Sequence, residues 1–398
     1  MSPSEDHGSM APSPSMGLGI WTTQSSHRRN MSRYISNRRG NRGHQLRRGM
    51  KTVHCFGAGL VGSYVARKLA EEGHKVQVYD LDPNISFDHP NITMVKVNAM
   101  DVELSAFDNV DLVVNMLPGN IGYDLTRKLS SGKWPIVDLS FSEITPDNGA
   151  IELQNNGSRI LWDVGIAPGL SNMLLSEAHR VMGHLTKAEI RVGGNPTKPD
   201  GAWKYMAPFS PNDVIAEYTR PARVVRNSGI VTIPALSERH FFDVRGKGTM
   251  EAFLTDGLRS VLTNIQAEEM SEYTVRWPGH IQKFIDERNS GELDERKLLE
   301  EWCFDPERPE FTWMEVVAYD DENRAMRWVV IDHGSGGDSS MARTTGLVTL
   351  GCIISWLKDP NMLPCGVHPP ESLPREVLIS VIELMRVNGV EISGPEIA

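Results

Sequence analysis

Three glycines, Gly57, Gly59 and Gly62, follow a short apolar run at residues 53–56 and open a helical pattern at residues 60–72. That spacing suits a diphosphate. Gly57 turns the chain tightly after a strand, and Gly59 brings backbone N–H groups, with those of Leu60 and Val61, to an anion at the positive end of a helix. Gly62 lets helix and strand pack closely. Asp80 closes the next apolar run, where a carboxylate accepts hydrogen bonds from an adenosine ribose. No Lys or Arg lies between Leu81 and Asn91 to neutralise a 2′-phosphate, so NAD is expected rather than NADP.

Other polar residues offer chemistry with less determined roles. Residues 163–172 join a strand to a helix through two glycines and a proline, and present Asp163, Ser171 and Asn172. This is either a binding loop at a domain junction or a linker. Arg276 and His280 end a strand, an anion clamp beside a group that exchanges protons near neutral pH. The alternative is a surface Arg and a helix-capping His. Arg343 is a second clamp or a helix-surface charge. Asp256 is an amine holder or a helix N-cap, and Lys204 sits beside Tyr205 in a loop. There is no G-x-S-x-G, H-E-x-x-H or Walker pattern, so serine hydrolysis, metalloprotease chemistry and P-loop phosphotransfer have no support.

The elements that must position these residues are readable. After the strands at 53–56 and 75–80, further strands are expected at 92–97, 111–116, 136–139 and 159–163, with helices at 60–72 and 121–129. Such alternation makes a parallel sheet covered by helices on both faces. Asn98, Ala99, Asn115, Leu117 and Ser140 then follow strand ends and are expected to line the cofactor cleft. Beyond Gly169 a helix at 170–182 precedes strand-like runs at 188–192, 223–225, 230–233, 240–244, 250–254 and 273–277. A hairpin is expected from 311–319 and 326–332, turning at 320–323, and helices at 340–357 and 376–386 close the chain. This reads as an α/β fold: a dinucleotide-binding domain at 50–168, an inserted α+β domain with a mostly antiparallel or mixed sheet at 169–338, and C-terminal helices at 339–398.

The 398-residue chain has a formal charge of -10, unevenly spread. Residues 1–49 hold eight Arg, no Lys and only Glu5 and Asp6 as acids, so the body from Met50 carries -16. An acidic body repels nucleic acid. The tail, rich in Ser, Arg, Gly, Pro and Asn, reads as disordered. It is a transit-like segment, a nucleic-acid-contacting arm or a start-site extension ahead of Met50, the last being preferred. Cys55, Cys303, Cys352 and Cys365 show neither C-x-x-C nor zinc-ligand spacing, and are expected as reduced thiols of a cytoplasmic protein without a metal. No apolar run has membrane-spanning length.

Taken together, residues 57–62, 163–172, 209–227, 251–262, 273–280 and 340–345 resemble the saccharopine dehydrogenase-like superfamily. The pairing of Tyr218-Thr219-Arg220-Pro221-Ala222-Arg223 with Arg276-Trp277-Pro278-Gly279-His280 is similar to its archaeal-type L-lysine 6-dehydrogenase branch. The resemblance implies a Rossmann domain completed by the C-terminal helices, and a homodimer. The reaction it implies is NAD-dependent oxidative deamination of a small amino acid, L-lysine, to its 6-semialdehyde with release of ammonia. Under that reading Arg276, then Arg343, would clamp the substrate carboxylate. His280 would be the acid/base, and Asp163 or Asp256 the amine partner. Residues 116–120, where family members vary, would face nicotinamide and substrate. A saccharopine dehydrogenase is the alternative enzyme, requiring additional convergent Arg or Lys, and an NAD(H)-binding redox sensor is the alternative without turnover.

Overall fold

Buried apolar strands alternating with amphipathic helices build the first sheet. The computed structural model describes residues 49–107, 109–149 and 157–397. The reading of residues 1–49 as a basic tail lies outside the described residues, Gly49 apart. In order come β1 (Thr52–Phe56), α1 (Leu60–Glu71), β2 (Lys75–Asp80), β3 (Ile92–Lys96), β4 (Leu112–Asn115), α2 (Gly119–Leu129), β5 (Pro135–Asp138) and β6 (Arg159–Trp162). β4 and β5 are buried at every position, as expected of central parallel strands covered on both faces. The sheet has seven strands because a late segment, β15 (Gly366–His368), pairs with β6. Its order is β15-β6-β5-β4-β1-β2-β3, and every pair is parallel.

The second region is a mixed sheet. Its elements are α3 (Leu170–Met182), β7 (Leu185–Pro196), α4 (Pro211–Thr219), β8 (Ala222–Arg226), β9 (Gly229–Ile233), β10 (His240–Val244), β11 (Gly248–Leu254) and α5 (Val261–Asn264). β12 (Ala267–Arg276), α6 (His280–Ser290), α7 (Glu295–Glu301), β13 (Glu310–Tyr319) and β14 (Ala325–Asp332) follow. The order is β10-β11-β12-β7-β13-β14-β16, with β8 on β12 and β9 on β8. Only β7 and β12 run parallel. β7 and β12 extend well beyond the expected runs at 188–192 and 273–277. Their charged residues pair along and across the strands, as Arg191 does with Glu189 of its own strand (2.9 Å) and Glu315 of β13 (2.7 Å), so an apolar pattern does not mark the strand.

The chain end serves both sheets. α8 (Ser340–Lys358) and α9 (Arg375–Val387) bracket β15, and β16 (Glu391–Ser393) pairs antiparallel with β14. α8 is buried nearly all round, packing on α1, α9, β13 and β14. Its hydroxyls are satisfied internally: Thr344 donates to Ser340 O at 2.8 Å, and Thr349 to Val164 O at 2.7 Å. Among the described residues no helix is long and apolar enough to cross a membrane.

Candidate active site

The strand order of the first sheet reverses between β1 and β4, which opens a crevice at their carboxyl ends. A cavity of about 710 Å³ begins there and continues to the face of β12. Its first end is set by the glycine turn. Gly57 has φ +93°, and its N–H donates to Tyr79 O at 2.9 Å. A Cβ at Gly62 would lie 2.2 Å from Gly57 O, so helix and strand could not approach. Gly59 is the opposite case: a Cβ there would meet nothing within 4 Å. Gly59 caps α1 without a side-chain bond, and the first turn of α1 holds no acid. Its leading N–H groups are thus left for an anion. The Asp80 carboxylate accepts from Ala58 N (2.6 Å) and Asp82 N (2.8 Å), which pins it beside the turn as it lines the cavity. The open cradle, the free helix terminus and the carboxylate together fit a dinucleotide.

The far end is built from alternate residues of β12. Period two puts Glu272, Thr274 and Arg276 on one face, and all three line the cavity with Glu217 of α4 and with Thr255 and Gly257 after β11. Thr255 Oγ1 bonds Glu272 Oε2 and lies 3.0 Å from Thr274 Oγ1, which donates to Glu217 Oε2 at 3.5 Å. Arg276 donates to the same Glu217 oxygen at 3.1 Å, to Tyr218 Oη at 2.8 Å and to Val275 O at 3.0 Å. Burial pushes Glu272 up to about 8. It pushes Glu217 up to about 6, against the pull of Arg276.

Residues 165–302 match the family model for the saccharopine dehydrogenase C-terminal domain. That segment of the chain is saccharopine dehydrogenase-like. Its fold resembles an apo saccharopine dehydrogenase (L-Glu forming) from Saccharomyces cerevisiae, with TM-score 0.64 and 14% identity over 87% of this chain and 100% of that one. It also resembles a homospermidine synthase from Legionella pneumophila solved with NAD, with TM-score 0.62 and 11% identity over 87% of this chain and 92% of that one. The matched C-terminal domain contains every residue of the far wall just described.

The sequence-expected residues separate into two groups. Gly57, Gly59, Leu60, Val61, Gly62, Asp80, Asn98, Ala99 and Leu117 all line the cavity. Asn115 and Ser140 do not. Asn115 is buried, donating to Gly122 O (2.8 Å) and Thr126 Oγ1 (2.9 Å), and Ser140 binds the Asp138 carboxylate. They fasten strand ends to α2 and the following loop.

On the substrate side the corrections are larger, because buried charges find protein partners first. Arg276 reaches the cavity with its guanidinium already engaged by Glu217, Tyr218 and Val275, so it is not a free clamp. His280 is buried outside the cavity lining. Its Nδ1 lies 2.8 Å from Trp203 O, and its Nε2 lies 2.9 Å from Tyr218 Oη. A carbonyl accepts only, so Nδ1 carries the proton, Nε2 accepts from Tyr218, and Tyr218 accepts from Arg276. Burial and Arg276 push His280 down to about 3, and it serves as a neutral buttress behind Tyr218. Asp163 lines the cavity but is held by two of the three Arg259 nitrogens, Nε at 2.7 Å and Nη2 at 3.1 Å.

Five further expected residues fall outside the lining. Asp256 holds Arg223 through both oxygens, and Ser260 rather than Asp256 caps the short α5. Arg343 is paired with Asp332 (2.8 Å) and Asn388 O (2.7 Å), tying α8 to β14 and the end of α9. Ser171 and Asn172 are buried at the start of α3, where Asn172 Oδ1 accepts from Gly169 N at 3.1 Å. Lys204 donates to Pro278 O at 3.0 Å. The residues missed are Asp213, Glu217, Thr255, Glu272 and Thr274. α4 carried no signal strong enough to place Glu217. The alternation of Glu272, Thr274 and Arg276 was the available cue. Among the described residues no group of three or more His, Cys, Asp or Glu could hold a metal ion.

Proposed function

We propose that this protein is an NAD-dependent dehydrogenase that oxidises the C–N bond of a cationic amine, with the ε-amine of L-lysine as its first candidate. One observation carries the reading. A single cavity joins the open phosphate cradle and Asp80 to an enclosed wall bearing Glu217 and Glu272. Bound NAD would supply the hydride acceptor. Asp80 would hold its ribose, the α1 terminus its diphosphate, and the loop after β4 would bring Leu117 and Pro118 to the junction with the substrate. The Legionella homospermidine synthase, described with NAD, supports the cofactor choice on a similar fold.

Charge favours an amine over a polycarboxylate. The cavity lining carries Asp80, Asp163, Asp213, Glu217 and Glu272, against Arg276 as its only Lys or Arg among the described residues. Saccharopine would bring three carboxylates to a wall whose single guanidinium already has a partner. That same engagement supports a second reading, a diamine without a carboxylate. In either case the amine carbon loses hydride, and water then releases ammonia or another amine from the resulting iminium.

The test is formation of reduced nicotinamide by the full chain with NAD and, separately, L-lysine, saccharopine and 1,4-diaminobutane. Reduction with release of ammonia from L-lysine would support oxidative deamination at the ε-carbon. Activity with the diamine alone would keep the reaction and change the substrate. Activity with saccharopine alone would overturn the argument from charge. Reduction with none of them, together with tight binding of NADH, would favour a sensor.

A further inference from the structure

A pair of threonine hydroxyls stands between two carboxyls at the far wall. Thr255 Oγ1 donates to Glu272 Oε2, the two threonine oxygens lie 3.0 Å apart, and Thr274 Oγ1 reaches Glu217 Oε2 at 3.5 Å. Arg276 lies against Glu217 and holds that end as a carboxylate. Glu272, at the other end, faces no cation of its own and is the carboxyl that keeps a proton in the empty cavity.

Glu272 is 4% exposed, lines the cavity, and has no ion-pair partner among the described residues. The charged groups around it are Glu217 from α4 and Asp256 from the loop after β11, both acids. Arg276 lies two positions along the same face but is taken by Glu217. The carboxyl is also seated closely: a Cβ at Gly257 would lie 2.6 Å from Glu272 Cδ. Burial and these acids raise its affinity for a proton, against the hydrogen bonds it accepts from Thr255 and the Gly257 backbone.

We infer that Glu272 is the group that exchanges a proton with the substrate's ammonium, charge-balanced through the threonine pair by Glu217 and Arg276. The inference rests on the amine reading above and deepens it. When an ammonium enters, the Glu272 proton leaves to solvent, and the ion pair R–CH2–NH3+ with Glu272–COO− forms. Transfer of one proton gives R–CH2–NH2 and Glu272–COOH, the neutral amine from which hydride can depart. Either tautomer of the complex holds one proton fewer than free protein plus free ammonium. Net binding thus releases about one proton below the raised Glu272 titration.

The test uses cofactor-free full-length protein and calorimetry in two buffers of different ionisation enthalpy near neutral pH, with L-lysine and 1,4-diaminobutane as probes. L-Norleucine, which lacks the ε-amine, is the control. The expected result is release of about one proton with at least one amine probe and none with norleucine. Glu272→Gln keeps an acceptor for Thr255, and should bind the amine without proton release. With NAD present, its kcat/KM should fall by about a hundredfold to ten-thousandfold. Thr255→Val should reduce the release while leaving thermal unfolding cooperative. Equal proton release in Glu272→Gln, or no binding by either amine, would overturn the inference. Proton release without any reduction of NAD would leave it standing and overturn the proposed reaction instead.

Discussion

The two ends of the cavity are made by different physical means. At the nucleotide end the backbone does the work: a strand end, a left-handed glycine and an uncapped helix present N–H groups, with Asp80 as the main charged contributor. At the substrate end side chains do it, as carboxyls, hydroxyls and a guanidinium share protons along one face of β12. A backbone site depends on a few glycines at fixed spacing. A side-chain site depends on which charges find each other across distant segments, as Glu217 and Arg276 do. The first kind tolerates sequence change around it, and the second changes its ligand when one pairing changes.

The strongest way to break this contrast is to unpair a buried charge. Arg259→Met leaves Asp163 in the cavity wall without its bidentate partner. We expect a loss of about 3–5 kcal/mol in denaturant unfolding. Intact stability with lost turnover would instead make Asp163 a reacting group.

The pH dependence of stability comes next, and its two contributions have opposite signs. Glu272 is raised to about 8 in the folded state, so the folded protein binds more protons than the unfolded chain between the ordinary carboxyl range and pH 8. Its contribution is full below that window and is lost as pH rises through it. His280, lowered to about 3, stays neutral when folded while the unfolded imidazole protonates. Stability from this source is present above the ordinary histidine range and lost as pH falls. Each slope is of order 1 kcal/mol per pH unit. Glu272→Gln should remove only the alkaline one in chemical denaturation across pH, and retention of that slope would show that Glu272 is ionised in the empty protein.

Asp80→Ala should weaken NAD about tenfold to a hundredfold, measured by titration calorimetry. NADP binding is the control. An equal loss for both would mean that the substitution disturbs the turn at Ala58 rather than the ribose contact. The smallest effect is expected at Lys204. Lys204→Met removes one hydrogen bond to Pro278 O and should cost about 1 kcal/mol or less with KM unchanged. A large rise in KM would return Lys204 to the substrate site.

The same contrast explains what could be read from the sequence. The parallel sheet was legible because buried strands and 3.6-residue helices leave short-range patterns, and helix 170–182 has the expected limits. β15 and β16, each three residues long, leave no such pattern and were not read. Neither were α4 and α6, whose polar faces dilute the periodicity. The nucleotide residues came from spacing within one segment. Glu217 and Glu272 stand 55 positions apart and meet only through Thr274, so no local pattern joins them. Arg276, His280 and Arg343 stand out by side-chain chemistry, which does not reveal the partner that a buried charge must acquire.

The late strands also impose a schedule on synthesis. β15 supplies one edge of the first sheet and β16 one edge of the second, and both lie beyond α8. A nascent chain still tethered short of Glu391 leaves the second sheet without its last neighbour, and one short of Gly366 leaves both unfinished. The first sheet is complete only once Gly366–His368 is made, and the second only once Glu391–Ser393 is made. Until β15 is made, the β6 border of the first sheet stays open to mispairing while the second sheet is made as far as β14.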